Sequence, residues 1–116
     1  MTLVAYPNCG TCKKAVKWLD NNEITYTYRN IKEEAPTEEE IRAWFFASGL
    51  PLKKFFNTSG QVYRSLGLSK KLPEMSEDEQ IRLLASDGML VKRPILLNGD
   101  TVLVGFREAD YEALLG

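Results

Sequence analysis

The only two cysteines of this chain stand two residues apart, in Cys9-Gly10-Thr11-Cys12. An apolar run, Leu3-Val4-Ala5-Tyr6, leads into them. A stretch with helical spacing, Lys13 to Asn22, leads away, with Ala15, Val16 and Leu19 apolar and Trp18 beside them. The thiols therefore mark the handover from a strand to a helix. The first N–H groups of a helix have no intrahelical partner and carry partial positive charge. A thiolate placed there is stabilised, which turns an ordinary cysteine into a working nucleophile.

This junction constrains the fold. Residues 2–6 read as a short buried strand, ended by the turn at Pro7-Asn8. Residues 24–31 are rich in β-branched and aromatic types and read as a second strand. A helix between two strands predicts a right-handed βαβ unit with parallel strands. Thr37-Glu38-Glu39-Glu40 then matches a capping box, and Gly49 with Pro51 should stop the helix that it opens. Ile41, Trp44, Phe45 and Ser48 form its inward face. Residues 52–56 and 60–66 read as short helices, and a second capping box at Ser76–Glu79 opens a helix through about Ser86. Strand signals return at Pro94-Ile-Leu-Leu, with Asn98-Gly99 as a two-residue hairpin turn and Thr101-Val-Leu-Val as the return strand. Glu108 to Leu115 reads as a terminal helix. The expected fold is α/β: a thioredoxin-like core, β-α-β then β-β-α, with a helical insert at about residues 37–88. The Trp44-Phe45-Phe46 and Phe55-Phe56 clusters are expected to be insert core, with any exposed remainder a partner surface.

Composition narrows the chemistry. At 116 residues the chain suits a single domain, 1–116, with one core. The net charge of −1, with lysine pairs scattered along the chain, gives no general attraction to nucleic acid or to an anionic membrane. The chain has no apolar run long enough to span a bilayer and no secretory signal pattern, so a cytoplasmic protein is expected. There is no histidine, which excludes Cys-His dyads and His metal ligation. Two cysteines without histidine cannot make the usual closed zinc site, so no metal is expected.

Within the thiol pair, Cys9 should sit in the loop with its sulfur over the helix end, the better nucleophile. Cys12 should sit in the first helical turn, more shielded. It is the candidate resolving thiol, able to attack a Cys9 mixed disulfide and close the ring. Lys13 and Lys14 add favourable charge near a Cys9 thiolate. The plain alternative is a pair of small buried apolar residues. Arg93-Pro94 is the second element. A proline opening a central strand donates no ladder hydrogen bond, an oddity that a cis Pro94 beside the thiol loop resolves. Arg93 would then lie next to Cys9 and could stabilise the thiolate or hold an oxyanion bidentately, unless it is a surface arginine before an edge strand. Arg107, after the hairpin, is either a further site residue or a solvated helix start.

Tyr6-Pro7-Asn8-Cys9-Gly10-Thr11-Cys12-Lys13-Lys14-Ala15, Lys92-Arg93-Pro94-Ile95, Val104-Gly105-Phe106 and Tyr63-Arg-Ser-Leu-Gly-Leu together resemble the arsenate reductase/Spx family. The resemblance covers essentially the whole chain and is strongest to the Spx/MgsR-like, arsenate-reductase-related proteins of Gram-positive bacteria. It implies a thioredoxin-like core with a helical insert. It also implies one of two functions. In glutaredoxin-coupled arsenate reductases, Cys9 would match the attacking cysteine, Arg93 the arginine before the family's proline, and Arg107 and Asn57 oxyanion-site positions. Glutathione or another thiol would serve as co-substrate, with glutaredoxin or thioredoxin as redox partner and no bound cofactor. In the Spx branch, the Cys-x-x-Cys is an oxidation-sensing switch on a regulator that binds RNA polymerase, at the C-terminal domain of its α-subunit. The chain departs from the reductases at Cys12, where they usually carry Ser or another residue. It departs again at Asn57, where they carry arginine. A monomer without direct nucleic-acid or membrane contact is expected.

Overall fold

Alternating side chains of four short strands hold two different cores apart. The computed structural model describes residues 1–114. Strands β1 (Thr2–Ala5), β2 (Thr27–Asn30), β3 (Ile95–Asn98) and β4 (Thr101–Val104) form one sheet in the order β2-β1-β3-β4. β1 and β2 are parallel, with Thr2 opposite Thr27 and Ala5 opposite Asn30. β1–β3 and β3–β4 are antiparallel. Helix α1 (Gly10–Asn21) makes the parallel crossover, as the βαβ pattern predicts.

Successive strand residues point to opposite faces. Leu3, Ala5 and Leu96 pack against Cys12, Ala15, Trp18 and Leu19 of α1 and against Tyr111 of the terminal helix α6 (Glu108–Glu112). Val4, Ile95 and Val102 point the other way, into the insert. Because both faces are covered, Leu3-Val4-Ala5 reads as an unbroken apolar run rather than an alternation.

The insert holds α2 (Glu38–Ser48), α3 (Gln61–Ser65), α4 (Leu68–Lys71) and α5 (Glu77–Ser86), with 3₁₀ turns at Leu52–Phe55, Leu72–Glu74 and Gly88–Leu90. Both capping boxes form: Thr37 and Ser76 accept the N–H of Glu40 and Glu79, whose carboxylates reach back. Gly49 ends α2 in the left-handed region at φ 68°. Trp44, Phe55 and Phe56 are buried and Phe45 is half-buried, but Phe46 points outward, 78% exposed. Gly88 sits where a Cβ would come 2.0 Å from the Ile31 carbonyl oxygen, so the return from the insert passes the sheet only with glycine there.

Several expected boundaries move. α1 begins at Gly10 rather than Lys13, because Cys9 is its cap. β2 is confined to Thr27–Asn30, the span that pairs with β1, so Ile24 to Tyr26 lie outside it. α4 and the 3₁₀ turn after it were not expected, since the Ser69-Lys70-Lys71 stretch carries little apolar periodicity. The hairpin turn is Gly99-Asp100 rather than Asn98-Gly99, since Asn98 already pairs with Thr101. Gly99 takes φ 58° at the first central position, which glycine does without strain. The terminal helix is Glu108–Glu112; Leu115, its expected end, lies outside the described residues.

Arg29 ties edge strand β2 to the insert. It makes a forked pair with Glu40 at 2.6 and 2.8 Å, donates to the carbonyls of Glu34 and Ala35, and stacks on Trp44 at 5.8 Å. Arg29 holds the Glu40 carboxyl down at about 2, with the Thr37 cap adding to the effect. A depressed carboxyl contributes stability above its unfolded value, near 4.3, that is lost as pH falls toward the folded value. Glu40→Gln should therefore cost about 1 kcal/mol at neutral pH, after discounting for partial solvent screening. The gap to wild type should close between about pH 5 and pH 2 in urea unfolding series.

Candidate active site at the start of α1

The thiol pair sits at the sheet edge of α1 because β1 ends at Ala5 and a turn follows, closed by the Cys9 N–H donating to the Tyr6 carbonyl at 3.1 Å. Cys9 has extended backbone angles, φ −98° and ψ 120°, and is the N-cap. Its Sγ accepts the Cys12 N–H at 3.3 Å, and its carbonyl accepts the Lys13 N–H at 3.0 Å. A cysteine sulfur thus occupies the place usually taken by a Ser or Asp oxygen. An anion there gains from the helix end. Cys9 is half-buried, open to a reactant, whereas Cys12 is only 1% exposed. Both are free thiols. Burial pushes the Cys12 thiol up to about 12, and the neighbouring Cys9 adds to this; the Tyr6 backbone and the Arg93 charge offset part of it. Cys12 is thus held protonated, beside a sulfur that accepts its backbone N–H.

The Arg93–Pro94 peptide bond is cis. Arg93 lies over the Tyr6 ring at 5.6 Å, and its Nη1 donates to the carbonyls of Met89 and Val91 at 3.2 and 3.3 Å. Its Nε is buried with no hydrogen-bond partner among the described residues. A buried donor without a partner carries an energetic cost that an incoming acceptor can relieve. Tyr6 thus links the two elements: its carbonyl closes the thiol turn and its ring carries the arginine.

Asn57 is delivered to the same strand approach by the backbone. Phe56 and Val91 form an antiparallel bridge, with Asn57 N–H donating to the Leu90 carbonyl and Lys92 N–H to the Phe55 carbonyl, both at 2.7 Å. The insert is therefore latched onto the segment that immediately precedes Arg93. Arg107 is exposed at the N-cap of α6, and no hydrogen bond or ion pair among the described residues ties it to the thiols. Lys13 and Lys14 are exposed in the first turns of α1.

Two contributors escaped the sequence reading. The stacking role of Tyr6 depends on a residue 87 positions away, Arg93 (93 minus 6). Tyr111 is fully buried in the same cluster as Cys12, edge-on to Trp18 at 5.5 Å and to Phe106 at 4.8 Å, with its hydroxyl unpartnered among the described residues. Burial holds that hydroxyl neutral. No local pattern marks either role.

A capping thiol at a strand-to-helix junction of a mixed four-stranded sheet, with helices on both faces, gives this chain a thioredoxin-like fold. The ArsC family model matches residues 4–114, and the chain belongs to that family. It is 54% identical to the uncharacterised protein YusI of Bacillus subtilis, over 97% of this chain and 95% of YusI. It is 27% identical to the regulatory protein MgsR of B. subtilis, covering 95% of this chain and 86% of MgsR. It is 29% identical to the global transcriptional regulator Spx of Enterococcus faecalis, covering 99% and 86%. Among solved structures, an ArsC family related protein of Bacteroides fragilis superposes with a TM-score of 0.95 at 56% identity, covering 97% of this chain and 95% of that one. A protein of Streptococcus mutans described as a possible arsenate reductase superposes at 0.90 with 49% identity, covering 99% and 97%.

The unequal thiols make a direct prediction. In a Cys9→Ser variant, the remaining Cys12 should react with iodoacetamide at neutral pH at least about tenfold more slowly than the first thiol of the wild type. Its rate should climb only as the solution becomes strongly alkaline. Mass-resolved alkylation against pH measures this.

Proposed function

We propose that the chain is a thiol-dependent oxidoreductase of the arsenate-reductase type, with Cys9 as nucleophile and Cys12 as resolving thiol. The observation that carries the reading is the cap itself: an accessible sulfur at the helix start, receiving the N–H of a buried second cysteine. In the first step the Cys9 thiolate attacks a substrate disulfide, forms a mixed disulfide and releases one thiolate. Cys12 then attacks the Cys9 sulfur, the second substrate thiolate leaves with the Cys12 proton, and a Cys9–Cys12 disulfide closes. With arsenate, Cys9 would displace hydroxide at arsenic. Attack by Cys12 on the Cys9 sulfur would then break the S–As bond, leave its electron pair on arsenic, and release arsenite.

In this reading Arg93 would hold the oxyanion, and the Nε that has no partner among the described residues supports that role. Asn57 supplies only a neutral amide where the family's reductases carry arginine, and each charge-assisted contact is worth roughly 1.5–3 kcal/mol. Disulfide exchange is therefore the firmer half of this reading and arsenate the weaker. Glutathione or another thiol would return the enzyme to its reduced state, with glutaredoxin or thioredoxin as protein partner. A cytoplasmic location, where thiols stay reduced, suits the cycle. No described helix is long and apolar enough to cross a membrane.

A second reading is favoured by the matches to MgsR and Spx: a redox-responsive regulator whose Cys9–Cys12 disulfide alters its grip on RNA polymerase, at the C-terminal domain of the α-subunit. Retention of that domain by the reduced or the oxidised chain would support this reading. Absence of retention in both states would remove it.

The enzymatic reading is tested with reduced protein, arsenate, glutathione and glutaredoxin, and separately with small disulfides. Wild type should turn over at least one of these. Cys9→Ser should fall to the uncatalysed background, and Cys12→Ser should stall as a Cys9 adduct with small disulfides when glutathione and glutaredoxin are left out. Arg93→Ala should lose about 10- to 100-fold in kcat/KM on arsenate, the equivalent of one charged hydrogen bond, and much less on neutral disulfides. Turnover that survives Cys9→Ser would sink the reading.

A further inference from the structure

The accessible thiol stands at the head of one stripe of α1. From the cap at Cys9, steps of three or four residues reach Cys12 and Lys13, then Val16 and Lys17, then Asp20 and Asn21. All of these except Cys9 line a groove of about 360 Å³ between α1 and β2. The groove therefore leads away from the accessible sulfur. Across it stands Tyr28, opposite Leu3 on the α1 face of the sheet and 41% exposed. Pro7, exposed two residues before Cys9, and half-buried Val16 add apolar lining. Lys13 and Lys17 are exposed, and neither makes an ion pair among the described residues. Asp20, further along, accepts the Tyr26 hydroxyl at 3.4 Å. Positive charge is thus concentrated toward the thiol end, beside apolar surface.

We infer that this groove receives the extended segment flanking the disulfide of a protein substrate, a segment with an apolar residue between two acidic ones. The inference rests on the disulfide exchange proposed above and names its substrate class. Spacing selects an extended chain. Lys13 and Lys17 are about 6 Å apart along the helix axis, and Cys9 precedes Lys13 by the same step. Alternate residues of an extended chain are about 6.6 Å apart and share one side. A reacting cysteine over Cys9 therefore brings the residues two and four positions away to Lys13 and Lys17. The residue between those two turns to the other side, where Tyr28 stands. Carboxylates suit the first pair of positions, and an apolar side chain suits the third. The chain as a whole carries a charge of −1, so it exerts no general pull on acidic peptides. A preference for them would report the groove.

Electrons and atoms balance. The Cys9 thiolate bonds to one peptide sulfur, the peptide S–S bond breaks, and the other half leaves as thiolate. Cys12 attacks the Cys9 sulfur, loses its proton and releases the first half. One substrate disulfide gains two electrons and two protons, and the cysteine pair gives them up.

The test uses the full reduced chain at low salt and the disulfide-linked dimer of the peptide Glu-Phe-Glu-Gly-Cys-Gly-Glu-Phe-Glu, which serves either chain direction. Two comparison peptides carry Lys for Glu, or Gly for Phe. Single-turnover rates are divided by each peptide's rate with 2-mercaptoethanol, which removes its intrinsic reactivity. Wild type should prefer the acidic peptide to the basic one at least about tenfold. Lys17→Glu should cut that ratio by at least about tenfold, as expected for reversing a charge within about 6 Å of a carboxylate in water. Tyr28→Ser should remove a preference for Phe over Gly of about fivefold, the effect of covering roughly 40 Å² of apolar surface. No charge preference in wild type, or one that survives Lys17→Glu, overturns the inference. A binding arm uses the acidic peptide with Ser for Cys, which cannot exchange. Wild type should bind it, and Lys17→Glu should bind it about tenfold more weakly, by fluorescence anisotropy of a labelled peptide. If no peptide disulfide reacts with wild type, the proposed cycle fails and this arm alone decides the groove. Absence of binding, equal competition by free succinate, or self-association of the chain that excludes the peptide overturns the assignment.

Discussion

One hydrogen bond, from the Cys12 N–H to the Cys9 sulfur, sets the character of this molecule. It makes Cys9 a helix cap, so the sulfur stands at the end of α1 where negative charge is favoured. The same turn carries Cys12 inward, against Leu3, Ala5 and Leu96 of the sheet. A single four-residue stretch thereby divides two chemically identical side chains into an accessible one and a protonated, buried one. The sheet enforces the division. Without β1 directly beneath α1, Cys12 would lie in water and the two thiols would differ little.

The helical insert contributes through position rather than through chemistry of its own. Its core fills the opposite face of the sheet around Val4, Ile95 and Val102. Its return path is fixed at Gly88, against Ile31, and at the bridge of Phe56 with Val91. Those two constraints bring Arg93 onto Tyr6 with its Nη1 occupied by carbonyls and its Nε free of partners among the described residues. Thiol loop and arginine come from opposite ends of the chain, and Tyr6 is where they meet.

The features legible in the sequence were those encoded within a few residues. The two capping boxes, the βαβ order and the strand-to-helix placement of the cysteines all depend on local spacing, and each forms. The hairpin turn slipped by one residue because its register is set by Ile95 facing Val104, a pairing between strands that Asn98-Gly99 alone does not specify. β2 was overextended because Ile24 and Tyr26 have strand-like character but no partner strand beside them. The outward turn of Phe46, the stacking of Tyr6 and the burial of Tyr111 each depend on distant elements, and composition carried no trace of them.

Membership of the ArsC family accounts for the fold, and the cap and the buried second thiol support redox chemistry within it. The most direct test of that account is the reaction of the reduced chain with a chromogenic aromatic disulfide, followed by intact mass. The account predicts two successive releases of chromophore per chain, the first from attack by Cys9 and the second from closure by Cys12. The final protein should be about 2 Da lighter than at the start and carry no adduct. Two retained adducts per chain, formed at similar rates, would contradict the claim that the helix start makes these two thiols a nucleophile and its resolving partner.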